Sequence, residues 1–493
     1  MNWIDRVIEF ISPQAGFARY RARLAQRALS DFERKYEGAS VGRRTDGWFA
    51  NSTSANTENA PALSRLRNRS RDLVRNNPYA ARAVQAIQTN TIGTGIIPQP
   101  SGRSTRATKD LTSAWERWAE TTECDADGVL DFYGIQGLVM RTIAESGECL
   151  VRRRWRRSSD GLSIPVQLQV LEPDYIDTTK SGTTDTGGYI IQGIEFDSIG
   201  RRVAYWLFQD HPGDGFSGRS FSAEPKRVDS SEILHLFRQD RAGQVRGIPW
   251  GASVIIKLRD LDELEDAQLT KQKTAACFAA FVHDIEAPQD PTKAAKNFTK
   301  VLKPGAIEML PPGKQITFPS VPSASDDGHS SRVLHAVAMG FGVTYELMTG
   351  DFGNVNFSSG RMGWIEFHRN VEQWRWQLII PRLCVPVWQW FCDAAYLQGY
   401  QSQDATASWT PPRREMIDPT REIPAIRDAI RSGVKTLSEA IREQGNDPER
   451  QLHEWKRDAE LLDKLGLTLD SDPRKVSQAG GAQKNESNDG GKV

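Results

Sequence analysis

The chain has 493 residues, too many for one ordinary hydrophobic core, which points to about two to four structural units. Lys plus Arg and Asp plus Glu both number 63, and this zero net charge excludes a dedicated basic protein that grips nucleic acid by neutralising phosphates. DNA, if handled at all, is enclosed. The cysteines Cys124, Cys149, Cys277, Cys384 and Cys392 are scattered without a C-x-x-C, the pattern of reduced, buried thiols in a cytosolic setting without zinc.

Residues 1–60 read as an N-terminal arm. Trp3, Ile4, Val7, Ile8 and Ile11 share one helical face, an Arg-rich stretch (Arg19, Arg21, Arg23, Arg27) follows, and residues 41–61 are of low hydrophobicity. Asp5 and Glu9 interrupt the apolar positions, so no signal peptide is expected. A polar face this poor in cations favours a protein partner or neighbouring subunit over a membrane surface. From Ala62 the pattern turns helical, with Pro78 just inside a helix start capped by Asn76 or Asn77 and closing toward Gly93. Arg65, Arg67, Arg69, Arg71 and Arg75 read as a solvated face that pairs with acidic groups of a neighbour, in preference to DNA phosphates. Trp115 and Trp118, three residues apart on one face, read as core.

Residues 147–236 look β-rich, because ECLVRRRWRR, IPVQLQVLEP, GGYIIQGIEFD, RRVAYWLFQ and SEILHLF alternate or run apolar between Gly, Pro and Asp breaks. Arg152, Arg153, Arg154, Arg156 and Arg157, around Trp155, form the sharpest basic patch. Alternation puts these arginines on both faces, so the strand end is expected to project beyond the core as a subunit or DNA contact.

The longest helical pattern runs from Pro249 to about His283. Val254, Leu258, Leu261 and Leu264 read as its apolar arc, and Asp260, Asp262, Glu263 and Asp266 as the opposite, acidic face. In a ring with that face inward, the carboxylates would repel phosphates and let DNA slide. Residues 286–325 are proline-rich, with expected strands at Ala306 to Leu310 and Gln315 to Phe318 around the turn Pro311-Pro312-Gly313-Lys314. Next comes a short helix carrying Val333, Leu334, Val337, Ala338 and Phe341, with Ser330 or Ser331 as its cap. After an apolar patch (Tyr345, Leu347, Met348), Gly350, Asp351, Gly353, Asn354, Asn356, Ser358 and Ser359 read as a mobile loop. A helix from Arg361 to Leu397 follows, rich in tryptophan and expected to be buried and proline-kinked. Pro381, Arg382, Pro386 and Asp393 break its apolar run, so it is not expected to span a membrane. Further on, Thr436 or Ser438 caps a helix ending at Gly445, Asp447-Pro448-Glu449 starts another, and the tail from Ser477 is disordered by composition.

Catalytic signatures are missing. The loop at 350–359 has no His, Cys, Lys or Glu from which a nucleophile and base could be built. There is no phosphate-cradling G-x-x-x-x-G-K-[ST], no H-E-x-x-H and no G-x-S-x-G, and the seven histidines are scattered. No cofactor and no metal is expected.

Several strings resemble one family. GVTYELMTGDFGNVNFSSGR looks like the tunnel-loop region of lambda-type portal proteins of tailed bacteriophages, with Phe357 where the family usually has Tyr. RNNPYAARAVQAIQTNTIGTGI, GGYIIQGIEFDSIGRRVAYW, PGAIEMLPPGKQITFPSVPS and the W-x-P-P-x-x-E-x-I-D-P that begins at Trp409 also resemble it, in the family's order. The resemblance implies an α+β, mainly α, ring-forming portal fold. Its parts would be an arm (1–60), wing (61–248), stem helix (249–285), clip (286–325), second stem helix (326–342), tunnel loop (343–360), long kinked helix (361–400), crown (401–470) and disordered tail (471–493). It implies a homo-oligomeric ring of twelve at one capsid vertex of the virion, assembled in the host cytoplasm, through which viral DNA is packaged and ejected. The expected partners are double-stranded DNA without sequence preference, the terminase large subunit, the major capsid protein and a head–tail connector or adaptor protein, with no membrane. Gly353, Asn354, Asn356, Ser358 and Ser359 would touch DNA, and Asp260, Asp262, Glu263 and Asp266 would face the channel. The alternative is a DNA-processing enzyme of a phage or prophage with a diffuse site, in which the cluster from Arg152 to Arg157 would hold substrate.

Overall fold

The computed structural model describes residues 50–102, 104–214, 224–277, 281–284, 314–317 and 328–469, with a few isolated residues outside these spans. The chain divides into two compact units, 1–54 and 55–493, and the elements below belong to the second. The expected amphipathic start of the arm and the expected disordered tail lie outside the described residues.

Helices α1 (Ala55–Asn59), α2 (Leu63–Asn76) and α3 (Pro78–Thr91) open this unit. Of the two candidate caps, Asn77 is the one used. It sits before a proline, which holds it extended, and its side chain accepts the N–H of Ala80 at 3.0 Å. β1 (Ile97–Ser101), α4 (Thr105–Ala119) and α5 (Phe132–Ser146) follow. Helix α5 ends at Gly147, where φ is +92° and a Cβ would lie 2.4 Å from the Ile248 carbonyl carbon, so conformation and space both demand glycine.

The β-rich segment forms two antiparallel sheets. β2 (Glu148–Trp155) lies between β3 (Val166–Leu171) and β9 (Ile233–Phe237). β4 (Gly182–Thr183), β5 (Tyr189–Ile191), β6 (Ile194–Phe196), β7 (Arg202–Leu207) and β8 (Lys226–Asp229) make a five-stranded meander in chain order.

The helical pattern expected from Pro249 is shorter in the structure: α6 runs Ile255–Cys277. Residues 249–254 form turns instead, with the Ala252 N–H on Pro249 O and the Val254 N–H on Gly251 O. A Cβ on Gly251 would meet the Phe341 ring at 2.4 Å, so this turn packs close against Phe341. Part of the expected helix beyond it is strand: β10 (Phe281–Asp284) pairs antiparallel with β11 (Lys314–Thr317). The expected strand at 306–310 lies outside the described residues. α7 (His329–Phe341) has Gly328 as its N-cap, so neither Ser330 nor Ser331 caps it. It packs closely on α6, where Gly340 leaves room for Val254.

After α8 (Tyr345–Thr349), one helical run extends from α9 (Phe357–Trp374) through a widened π segment (Arg375–Cys384) into α10 (Val385–Leu397). Pro381 cannot donate to the regular ladder, and within this segment the bonding slips to the fifth residue back, as in Val385 N–H to Ile380 O. Arg375 fastens the widened turn to α3, donating to the terminal carbonyls of Asn90 and Thr91, both at 2.8 Å. Trp374, Trp388 and Trp390 are buried as expected, whereas Trp376 is half exposed. Trp115 meets Phe132 and Phe391 edge to face, and Trp118 lies tilted against Phe391, at the centre of the main core, which draws on α3, α4, α5, α6, α7 and the long run.

β12 (Thr406–Thr410) returns across the chain to pair antiparallel with β1, Ile97 opposite Thr410. β1 carries Pro98 and Pro100 and has one neighbour, as prolines in a strand require. α11 (Pro419–Arg431), α12 (Leu437–Glu443) and α13 (Pro448–Leu465) complete the fold. Thr436 caps α12 and Asp447 caps α13.

Candidate functional site

The irregular part of the expected loop is narrower than 343–360, because α8 and the first turn of α9 occupy its ends. His335 stacks on Tyr345 at 3.9 Å, which ties α8 to α7. Asp351 closes the turn between, accepting the Gly353 N–H at 2.9 Å and the Tyr345 hydroxyl at 3.4 Å. Asn356 and Ser359 form a reciprocal cap on α9, so both side chains are used locally. Asn354 and Ser358 are exposed and make no side-chain hydrogen bond among the described residues. Phe352 and Phe357 flank them, 61% and 56% exposed.

Val254 just before α6 and Leu258 and Leu261 on it are buried, and Leu264 is half-buried. Asp260, Glu263 and Asp266 are exposed, Glu263 paired with Arg259. Asp262 departs from the expectation of a single outward acidic face. Four residues past Leu258 it lies about 40° from that buried position, is half-buried, and accepts the Asn77 side-chain N–H at 2.7 Å. Glu265 instead joins the exposed acids, its carboxyl pushed up by partial burial and by Asp262 and Asp266.

The arginine cluster does not project. β2 is the middle strand and stays paired with β3 as far as Trp155. Arg153 pairs with Glu232 at 2.7 Å and lies over the Trp155 and Trp390 rings, and Arg156 donates to the Gln167 side chain at 2.7 Å. Arg157 uses its backbone N–H to bond Asp160, and its side chain is exposed. Arg152 and Arg154 are half-buried within the sheet.

Among the described residues the most heavily bonded carboxylate is one that no sequence motif marks. Glu148, fully buried at the start of β2, accepts two bonds at 3.0 Å from Arg246 Nε and one at 2.5 Å from Nη2, plus His235 Nε2 and the Gly247 N–H at 2.9 Å. Arg67 Nη1 stands 3.7 Å away. Burial alone would raise this carboxyl, but Arg246 and then His235 hold it well below the ordinary carboxylate range. Burial lowers His235 to about 4, and Arg202 donates to its Nδ1 at 2.9 Å. The imidazole is therefore neutral, with its proton on Nε2 facing Glu148. Arg67, which the sequence pattern groups with the solvated arginines, is buried here beside Glu148. The available signal was a carboxylate heading an otherwise apolar strand, E-C-L-V.

Glu172, Asp174 and His211 lie close enough to suggest a metal site. Arg71 pairs with both carboxylates and Arg67 with Asp174, so guanidinium groups already fill the place of a cation. Among the described residues no helix is long and apolar enough to cross a membrane.

A family model described as "Phage portal protein, lambda family" matches residues 41–375. The chain is 24% identical over 466 residues to the "Probable portal protein" of Halomonas phage phiHAP-1, with 88% of each chain covered. It is likewise 24% identical over 510 residues to the portal protein of Escherichia phage N15, covering 91% of this chain and 94% of that one. Among solved structures, the neck of a native gene transfer agent particle computed with C12 symmetry is similar at 15% identity and a TM-score of 0.44, covering 77% of this chain and 91% of that one. The family match runs from before α1 to the start of the π segment and takes in both sheets, α6 and the loop between α8 and α9, and on that match this chain belongs to the lambda family of phage portal proteins.

Proposed function

We propose that the protein assembles as a ring of twelve at one capsid vertex and forms the channel for viral DNA packaging and ejection. The family match over residues 41–375 carries this reading. In it, residues 61–248 are the wing, 249–285 and 326–342 the stem, 286–325 the clip, 343–360 the tunnel-loop region and 401–470 the crown. The stem presents Asp260, Glu263 and Asp266 as carboxylates that keep phosphates from sticking. Asn354 and Ser358, free of local bonds, supply donors that touch phosphate without reading sequence. Terminase large subunit, major capsid protein and a head–tail adaptor are the partners that such a ring serves. The ring is a virion component, assembled in the host cytoplasm. The DNA-processing alternative loses its main support, because Arg153 and Arg156 are engaged within the chain.

Mass photometry with negative-stain imaging across a range of salt tests the ring. Closed rings of about twelve copies with a central hole are expected; protein that stays monomeric under every condition overturns the reading. Deleting 352–357 should leave rings intact and impair DNA packaging or retention.

A further inference from the structure

Two surfaces in the C-terminal part of the chain stay open among the described residues. The first is a groove of about 970 Å³ between α9 and the segment from β12 to α12. Trp409 lines it, 7% exposed, with an indole N–H that bonds to nothing. Trp364 forms a wall, and the Arg414 guanidinium lies 4.3 Å over its ring. The carboxylates here are mostly taken: Glu372 by Arg375, Glu422 by the Ile417 and Asp418 N–H groups, and Glu443 by Lys435. Arg361, Arg414 and Arg442 have no ion pair among the described residues, against two such carboxylates, Glu422 and Glu439, so the free charge of the groove is positive by one.

The second surface is α13. Of its 18 residues only Pro448 is buried, while Trp455, Leu461 and Leu465 are 52%, 54% and 60% exposed. At about 100° per residue, Leu461, Glu454, Leu465, Asp458, Gln451, Leu462 and Trp455 follow one another over an arc of about 120°. That arc holds two acids and no Lys or Arg. A helix face that interleaves leucines with two carboxylates is the complement of an apolar groove that carries guanidinium groups. The two cannot meet within one chain. α12 is itself a wall of the groove, and α13 begins beyond a short turn whose Gly445 packs against the Arg413 backbone; from there it runs beside β1, with Trp455 and Asp458 lining a separate cleft.

We propose that α13 of one copy seats in the groove between α9 and α12 of the next. The inference rests on the ring reading above and names a contact that builds the ring. One donor surface and one acceptor surface on each copy make a head-to-tail interface, the kind that closes into a ring when the rotation allows. Asp458 and Glu454 meet Arg361 and Arg414, and the leucines cover Trp364.

The test is charge reversal on each side. Glu454→Arg with Asp458→Arg, and separately Arg361→Glu with Arg414→Glu, should each lower ring yield by more than about tenfold, with unchanged circular dichroism melting of the monomer. Joining all four changes in one chain should restore rings. Mixing the two half-defective variants should likewise restore rings, with the two alternating, since each surface then meets its complement on the neighbour while neither variant pairs with itself. Wild-type rings accompanied by normal rings from either reversed variant overturn the contact alone and leave the groove to another partner. Wild-type protein that forms no ring overturns the portal reading and the contact together.

Discussion

The junction around Glu148 and the loop between α8 and α9 are both polar, yet they treat their polar groups in opposite ways. At the junction every oxygen of a fully buried carboxylate is bonded, by Arg246 and His235 side chains and by the Gly247 N–H. The bonds join β2, β9 and the turn before α6, with Arg67 of α2 close by. In the loop, Asp351, Asn356 and Ser359 satisfy the backbone, while Asn354 and Ser358 remain exposed and unbonded. A charge out of water must be bonded completely, so the junction is a point of rigidity. A group in water can stay free at no such cost.

The contrast can be broken most severely at the junction. Glu148→Ala leaves Arg246 buried without its partner and should cost about 3–5 kcal/mol in chemical denaturation; a loss below about 1 kcal/mol would mean that the junction relaxes or hydrates. The next effect is pH. Folding holds His235 at about 4 against an ordinary 6.5, so between those values the unfolded chain binds a proton that the folded chain does not. Stability is then full above about pH 6.5 and falls toward pH 4 by about 3 kcal/mol. Glu148, held below its ordinary range, extends the loss to lower pH. His368 is also held at about 4, chiefly by burial, and titrates in the same window. The check is therefore the difference between wild type and His235→Gln, which keeps a donor toward Glu148 and should flatten the acid limb.

Smaller effects sharpen the comparison. Arg375→Ala strips the terminal carbonyls of α3 of their donors and should cost about 1–3 kcal/mol by the same denaturation measurement. In the loop, Asn356→Ala removes the reciprocal cap and should cost about 1 kcal/mol. Asn354→Ala with Ser358→Ala should change stability by less than about 0.5 kcal/mol, and any effect should be on DNA retention in particles. A stability loss as large as that of Asn356→Ala would show that those two side chains are structural.

Local features of the chain were legible from its residues alone. Pro78 with its Asn cap, the caps Thr436 and Asp447, the buried Trp115 and Trp118, and the strands between 148 and 237 follow from hydrogen bonds and apolar spacing within a few residues. The loop between α8 and α9 was legible for the same reason, because Gly and Asn are cheap where backbone angles are unusual. What the sequence alone left open was identity of neighbours. Position 251 must be glycine because Phe341, about ninety positions away, fills the space a Cβ there would need. Asp262 faces inward because Asn77 waits there, and Arg153 is bound because Glu232 and Trp390 lie beside β2. β1 became a strand because β12 came to pair with it. Propensity and periodicity act over a turn of helix or a strand, so they determined the elements; charge satisfaction and close packing act between elements brought together by the whole chain, so only the tertiary structure decided them.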